Sequence, residues 1–145
     1  MATIIDIADA VAATLNDAGE PGFSQPFTAE RKALPAFELA DLTGLHVTVV
    51  PKAVEITGAS RSLCQYDHQI DVGVQKKTGT DLEADVAALC GLVAEIAAFL
   101  KQRPLTGLSG VAWVRTANEP VYAPEHLAEK RLFTSVLTVT YRTME

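Results

Sequence analysis

A chain of 145 residues, 48% hydrophobic and 21% charged, is expected to fold as one domain over 1–145, burying roughly two-thirds of its unfolded surface, which excludes a disordered class. No apolar run reaches the roughly 20 residues that a membrane span needs, and the start MATIIDIADA lacks a basic leader, so synthesis in the cytoplasm is expected. The net charge of −6, with 18 acidic against 12 basic residues and no Lys/Arg stripe, argues against holding a phosphate backbone.

In residues 2–18, Ile4, Ile7, Ala8, Val11, Ala12 and Leu15 recur at helical spacing, with Thr3 as N-cap and Asp6 in the capping-box position. Gly19 and Pro21 end this helix, and residues 20–26 form a turn-rich linker. Residues 27–37, FTAERKALPAF, read as a strand whose alternation is poor and which Pro35 breaks, so an edge position is expected. Residues 40–44 are a turn. LHVTVVP (45–51) is a strand on its β-branched residues, and AVEIT (53–57) either extends it or pairs nearby. The polar stretch 58–62 makes a hairpin tip or excursion.

Residues 66–75 alternate with the most regularity: Tyr66, His68, Ile70, Val72 and Val74 face one side, and Asp67, Gln69, Asp71, Gly73 and Gln75 the other. The loop KKTGT leads to the longest amphipathic stretch, residues 80–103, whose Leu82, Val86, Leu89, Val93, Ile96 and Leu100 form one stripe. Thr80 is the expected N-cap, with Glu83 completing a capping box and Asp81 and Asp85 at the positive end of the dipole. Pro104 and Gly107 stop the helix. Residues 111–116 are a strand, 117–130 a long connection in which 126–130 is either a helical turn or a run-in, and 131–142 a last long strand. That strand should pair with 111–116, with Phe133, Ser135, Leu137, Val139 and Tyr141 on one face. No βαβ repeat occurs, so the fold class is α+β, a mainly antiparallel sheet with two helices on one face.

A search for chemistry returns no catalytic, cofactor-binding or metal residues. His46, His68 and His126 lack ligand spacing, and His68 falls on the apolar face of its strand. Asp81, Glu83 and Asp85 are explained by the helix start. Lys76, Lys77, Thr78, Gly79 and Thr80 precede a helix N-terminus and suit a solvated turn better than an anion site. Trp113, Tyr122, Phe133 and Tyr141 lack the interleaved basic residues of a base-stacking platform and read as packing aromatics. Cys64 and Cys90 form no CxxC pair; Cys90 reads as a small core residue and Cys64 as inert.

The opening helix IIDIADAVAATLN with its Pro/Gly linker and FTAERKALPAFELADL, the strand YDHQIDVGVQKK feeding TDLEADVAALCGLVAEIAAFL, and the closing RLFTSVLTVTYRTME together resemble the tail-terminator (tail-completion) proteins of long-tailed bacteriophages. The resemblance covers nearly the whole chain and rests on pattern. It implies a tail-terminator-like α+β subunit of the virion, found in the tail and neck and assembled in the host cytoplasm. Such subunits close into a ring, usually a hexamer, that caps the tail tube, ends tail polymerisation and joins the tail to the head–neck connector. Implied partners are copies of itself, the tail tube protein, the sheath protein if the tail contracts, the connector, and genomic DNA passing unbound through the lumen. No enzyme activity, cofactor or membrane is implied. The acidic balance would suit a bore through which DNA slides without sticking. Residues 66–75 and 131–142 are expected to offer edges or polar faces to a neighbour, and 58–62 and 117–130 contacts above and below. The competing readings are another phage neck or baseplate component and a small ligand-binding α+β domain.

Overall fold

The computed structural model describes residues 2–18, 22–33 and 44–145. In chain order they form α1 (Ile4–Asn16), β1 (Ala29–Arg31), β2 (His46–Gly58), β3 (Cys64–Lys77), α2 (Leu82–Leu100), β4 (Ala112–Asn118), α3 (Pro124–Lys130) and β5 (Leu132–Met144). The strands make one sheet in the order β1-β2-β3-β5-β4. Every pairing is antiparallel except β1 with β2. The architecture is the α+β class expected, with one parallel pair and a third helix added.

Period-two alternation decides which face of this sheet is covered. Ile70, Val72 and Val74 of β3 and Phe133, Leu137, Val139 and Tyr141 of β5 are buried, together with Val47 and Val49 of β2. Onto that face α1 sets Ile7, Val11 and Leu15, and α2 sets Leu89, Leu92, Val93, Ile96 and Leu100. Each large aliphatic side chain taken from water contributes about 1.5–3 kcal/mol, so this layer supplies most of the driving force. The predicted stripe of α2 is correct along its second half, whereas Leu82 and Val86 at its start are only half-buried.

The caps follow local hydrogen bonding. At α1, Thr3 and Asp6 form the reciprocal box: the Asp6 backbone N–H donates to Thr3 Oγ1 (3.3 Å), and the Thr3 N–H to the Asp6 carboxylate (2.9 Å). Those bonds hold the Asp6 carboxyl below its ordinary pKa. At α2 the N-cap is Asp81, not Thr80, because the Asp81 carboxylate accepts the Ala84 N–H at 3.2 Å. A carboxylate caps as well as a hydroxyl and adds a full charge at the positive helix end. The helix closes at Leu100 rather than Arg103. Arg103 folds back instead, donating from Nε to the Phe99 carbonyl at 2.8 Å with its guanidinium 3.9 Å from the centre of the Phe99 ring.

Side chains tie the layer together where backbone pairing is thin. Asn16, ending α1, accepts the Ala29 N–H (2.7 Å) and donates to the Ala29 carbonyl (3.0 Å), so its amide stands in for a strand neighbour of β1. Arg31 pairs with Asp9 across the same junction. Phe23 stacks against Phe27 and meets Phe99 edge-on at 5.2 Å, which pins the linker to α2. Thr14 donates to the Ala10 carbonyl and accepts the Thr106 N–H at 2.9 Å, so its buried hydroxyl is satisfied twice.

Of the strand expected over 27–37, only Ala29–Arg31 forms among the described residues, with 27–28 and 32–33 outside any element; residues 34–37, the turn at 40–44 save Gly44, and the breakers Gly19 and Pro21 lie outside the described residues. The two segments 45–51 and 53–57 are one strand, β2, with an irregularity between Pro51 and Ala53. There the proline, which has no N–H to give the ladder, is accommodated by the shift in register. Residues 126–130 belong to α3, and β4 pairs with β5 as expected. Ile96 is fully buried, so Ile96→Asp should cost several kcal/mol and abolish the cooperative melt, because a charge would be buried without a partner. Calorimetry or circular dichroism against the parent checks it; an unchanged melting curve would contradict the packing of α2.

Candidate interaction surface

Sequence candidates for chemistry are held apart or used up by the fold. His68 is 3% exposed, with its Nε2 3.2 Å from Thr143 Oγ1, and burial pushes its pKa down. His126 sits on α3 and contacts Thr134 Oγ1 at 3.0 Å, while His46 pairs with Gln75 at the far end of β2. The described residues bring no three His, Cys, Asp or Glu side chains together in metal-binding geometry. Cys90 is half-buried and its thiol pKa is raised by burial; Cys64 is a free thiol at the start of β3.

The lysine loop lines a depression of about 430 Å³ with Gln25 and Asp85. The polar groups of its Thr78–Gly79 turn are already engaged. The Gly79 N–H donates to Asp85 Oδ2 at 2.6 Å, Arg131 donates to the Gly79 carbonyl at 2.9 Å, and Thr78 donates to the Arg131 carbonyl. An incoming anion would meet the Asp85 carboxylate where it needs a donor. The four aromatics do not form a platform either: Phe133 and Tyr141 are fully buried under the helices, and Trp113 donates its Nε1–H to Thr116 at 2.9 Å.

What remains is surface shape, and the sheet supplies three features. First, the outer half of β2 runs along the margin of the sheet, and residues 52–58 are exposed throughout even where their row neighbours on β3 and β5 are buried. The hairpin tip is closed by the Ala59 and Ser60 N–H groups donating to the Leu63 carbonyl. Val54 and Ile56 are 42% and 59% exposed on the helix side, and Leu63 at the tip is 44% exposed. Second, the face away from α1 and α2 is polar. On it Arg142 forks onto Asp67 (2.8 and 3.2 Å), Thr138 donates to Asp71 at 2.7 Å, and Lys52, Gln69, Arg115 and Glu119 border a depression of about 370 Å³. Third, a groove of about 420 Å³ runs between α2 and β4, with Ala97, Ala98 and Trp113 among its walls.

Of the edges or polar faces expected of 66–75 and 131–142, only the polar faces are available: β3 and β5 lie inside the sheet with both edges paired. The edges belong to β4 and to β2 beyond its short pairing with β1. Sequence reading missed Val54, Ile56 and the Trp113 groove. The available signal was that AVEIT continues the apolar alternation of β2.

No protein-family model matches the sequence, and no curated protein matches it. Among solved structures, a chain from the virion of a native gene transfer agent particle is similar at 16% identity and a TM-score of 0.44, over 93% of this chain and 84% of that one. At that score and identity the likeness carries no inference about what this chain does.

Two consequences of the geometry are measurable. The Arg142 guanidinium bonded to Asp67 holds that carboxyl below its ordinary value of 3.8. A carboxyl whose folded pKa is depressed contributes stability that is complete above the unfolded pKa and is lost as pH falls through the folded one. Asp67→Asn should therefore lower stability at pH 7 and flatten its fall below about pH 4, which urea titrations at several pH values will test. The Tyr141 hydroxyl is buried and has no hydrogen-bond partner among the described residues, and burial raises its pKa far above the ordinary range. Tyr141→Phe removes an unsatisfied group at constant shape and should leave the melting temperature unchanged or higher. A loss above about 1 kcal/mol would mean the hydroxyl is bonded.

Proposed function

We propose that this protein is a structural subunit of a phage virion, acting in the tail and neck as a tail terminator. Copies close into a ring, hexameric in the family it resembles, that caps the tail tube, ends its polymerisation and presents the tail to the head–neck connector. The observation that carries the proposal is the margin formed by the outer half of β2, which sets Val54 and Ile56 in water. Two sheet edges left unpaired among the described residues and a polar face add surface on which neighbours can sit. The sequence order that resembles tail terminators then says what kind of assembly such a subunit enters.

The chain works by shape and makes no bonds of its own. The titratable groups that stand out are placed where structure explains them: Asp67 in an ion pair, Asp81 in a cap, His68 and Tyr141 beneath the helices. The net charge of −6 suits a lumen through which DNA moves without being held. In this reading the tube protein, the sheath protein of a contractile tail and the connector meet the two rims of the ring.

The experiment is assembly. The purified protein, concentrated alone and mixed with tubes formed by a tail tube protein of the same phage, should give rings in negative stain and tubes of fixed length bearing a ring at one end. A protein that stays monomeric and leaves tube length uncontrolled overturns the proposal.

A further inference from the structure

We infer that the ring contact is an edge-to-edge sheet junction, in which the outer half of β2 of one copy pairs antiparallel with β4 of the next and places Val54 and Ile56 in the Trp113 groove. The inference rests on the ring reading above and assigns the surfaces that make it.

Three independent features of the sheet select this contact. The first is height. Val54 pairs with His68, His68 with Tyr141, and Tyr141 with Trp113, so Val54 and Trp113 end one continuous row at opposite margins of the sheet. The next row runs Glu55, Asp67, Arg142, Ala112. Rotating a copy about an axis parallel to the strands keeps every row at its level, and therefore brings Val54 of one copy beside Trp113 of its neighbour. Partners in a row share a face, so both residues lie on the helix side. Ile56 then falls level with Val111, which packs at the margin of the core.

The second feature is polarity. Three successive antiparallel pairings, β2 to β3, β3 to β5 and β5 to β4, leave β2 and β4 running in opposite directions. Joining β4 to the neighbour's β2 continues the antiparallel ladder, and residues 53–58 carry no proline to interrupt it. The same edge of β2 is unavailable nearer its start, where β1 occupies Val47, Thr48 and Val49.

The third is side-chain complementarity. On the helix side the neighbour's Val54 and Ile56, both exposed in one copy, meet the wall formed by Ala97, Ala98 and Trp113. On the polar side Glu55 stands two rows from Arg115, the diagonal at which opposite charges on adjacent strands attract. A contact between two different margins of the same sheet is heterologous, and it closes after a fixed rotation or grows without limit.

Disulfide trapping tests this in a Cys64→Ser, Cys90→Ala background shown by its melt to be folded. In a paired ladder the Cα atoms of residues 55 and 112 of adjacent copies lie about 4.5–5.5 Å apart, within disulfide reach. Under mild oxidation, with or without tail tubes, the variant carrying both Glu55→Cys and Ala112→Cys should give a ladder of covalent multimers ending at the ring. Each single variant should stay monomeric, and the two singles mixed should give dimers only. Dimers of Glu55→Cys alone would mean that two β2 edges meet, which overturns the assignment. Rings seen in negative stain whose thiols stay free overturn the edge junction while leaving the assembly reading intact; absence of rings under every condition defeats both. A second measurement uses exposed residues that do not threaten folding: Glu55→Arg and Arg115→Glu should each raise the concentration needed for ring formation about fivefold or more, and together restore it. Failure of the double reversal to restore assembly counts against the pairing.

Discussion

β3 is laddered along nearly its whole length to β2 on one side and to β5 on the other, and this double pairing is the constraint from which the other features follow. Because side chains alternate along a strand, fixing its register fixes which residues of three strands face the helices. A slip of one residue would carry Ile70, Val72 and Val74 to the polar side and bring Asp67, Gln69 and Asp71 under α1 and α2. Burying three such groups without partners costs more than the marginal stability of a domain this size, so the register has no competitor. The bonds between Cys64 and Glu145 close the ladder at its outer end, beyond the last pair of strand residues.

This dependence explains how much was legible in the sequence. The regular alternation around Ile70, Val72 and Val74 and the helical stripe containing Leu89, Val93 and Ile96 are strong local signals because each element has one dry face, and both were read correctly. Order along the chain then gave the class. The neighbours of each strand were harder. Long amphipathic strands suggested exposed edges for β3 and β5, whereas the chain buries its best strands in the middle, where both ladders are satisfied, and leaves the margins to the short β1 and the bulged β4. The cap of α2 depended on a competition between adjacent side chains, Thr80 and Asp81, that spacing cannot resolve. The parallel pairing of β1 is held by side chains far away in sequence, Asn16 and Asp9, and so left no local mark.

The candidate surface was legible only in outline. Residues 58–62 were read as a projecting tip, yet Val54 and Ile56 look like ordinary strand residues in one dimension. Their meaning comes from position: they continue the rows of His68 and Tyr66 onto a margin strand that the core does not cover, so residues with the chemistry of a core stand in water. The Trp113 groove is the converse, a place at the other margin where α2 overhangs a strand without filling the space beneath.

Those two margins belong to one economy of design in the sheet. A margin strand that the core covered would leave nothing to offer, and a helix that covered β4 fully would leave nothing to receive. Free edges are an aggregation hazard when they are flat and interchangeable. Here they differ: one margin is a strand with small apolar side chains and an acidic residue, the other a short bulged strand with an indole and a guanidinium. Unlike margins recognise each other better than themselves, since Glu55 opposite Glu55 or Arg115 opposite Arg115 repels. That asymmetry converts a general tendency of open sheets to join into contacts of a single kind. Identical contacts repeated with the same turn are what a closed ring requires.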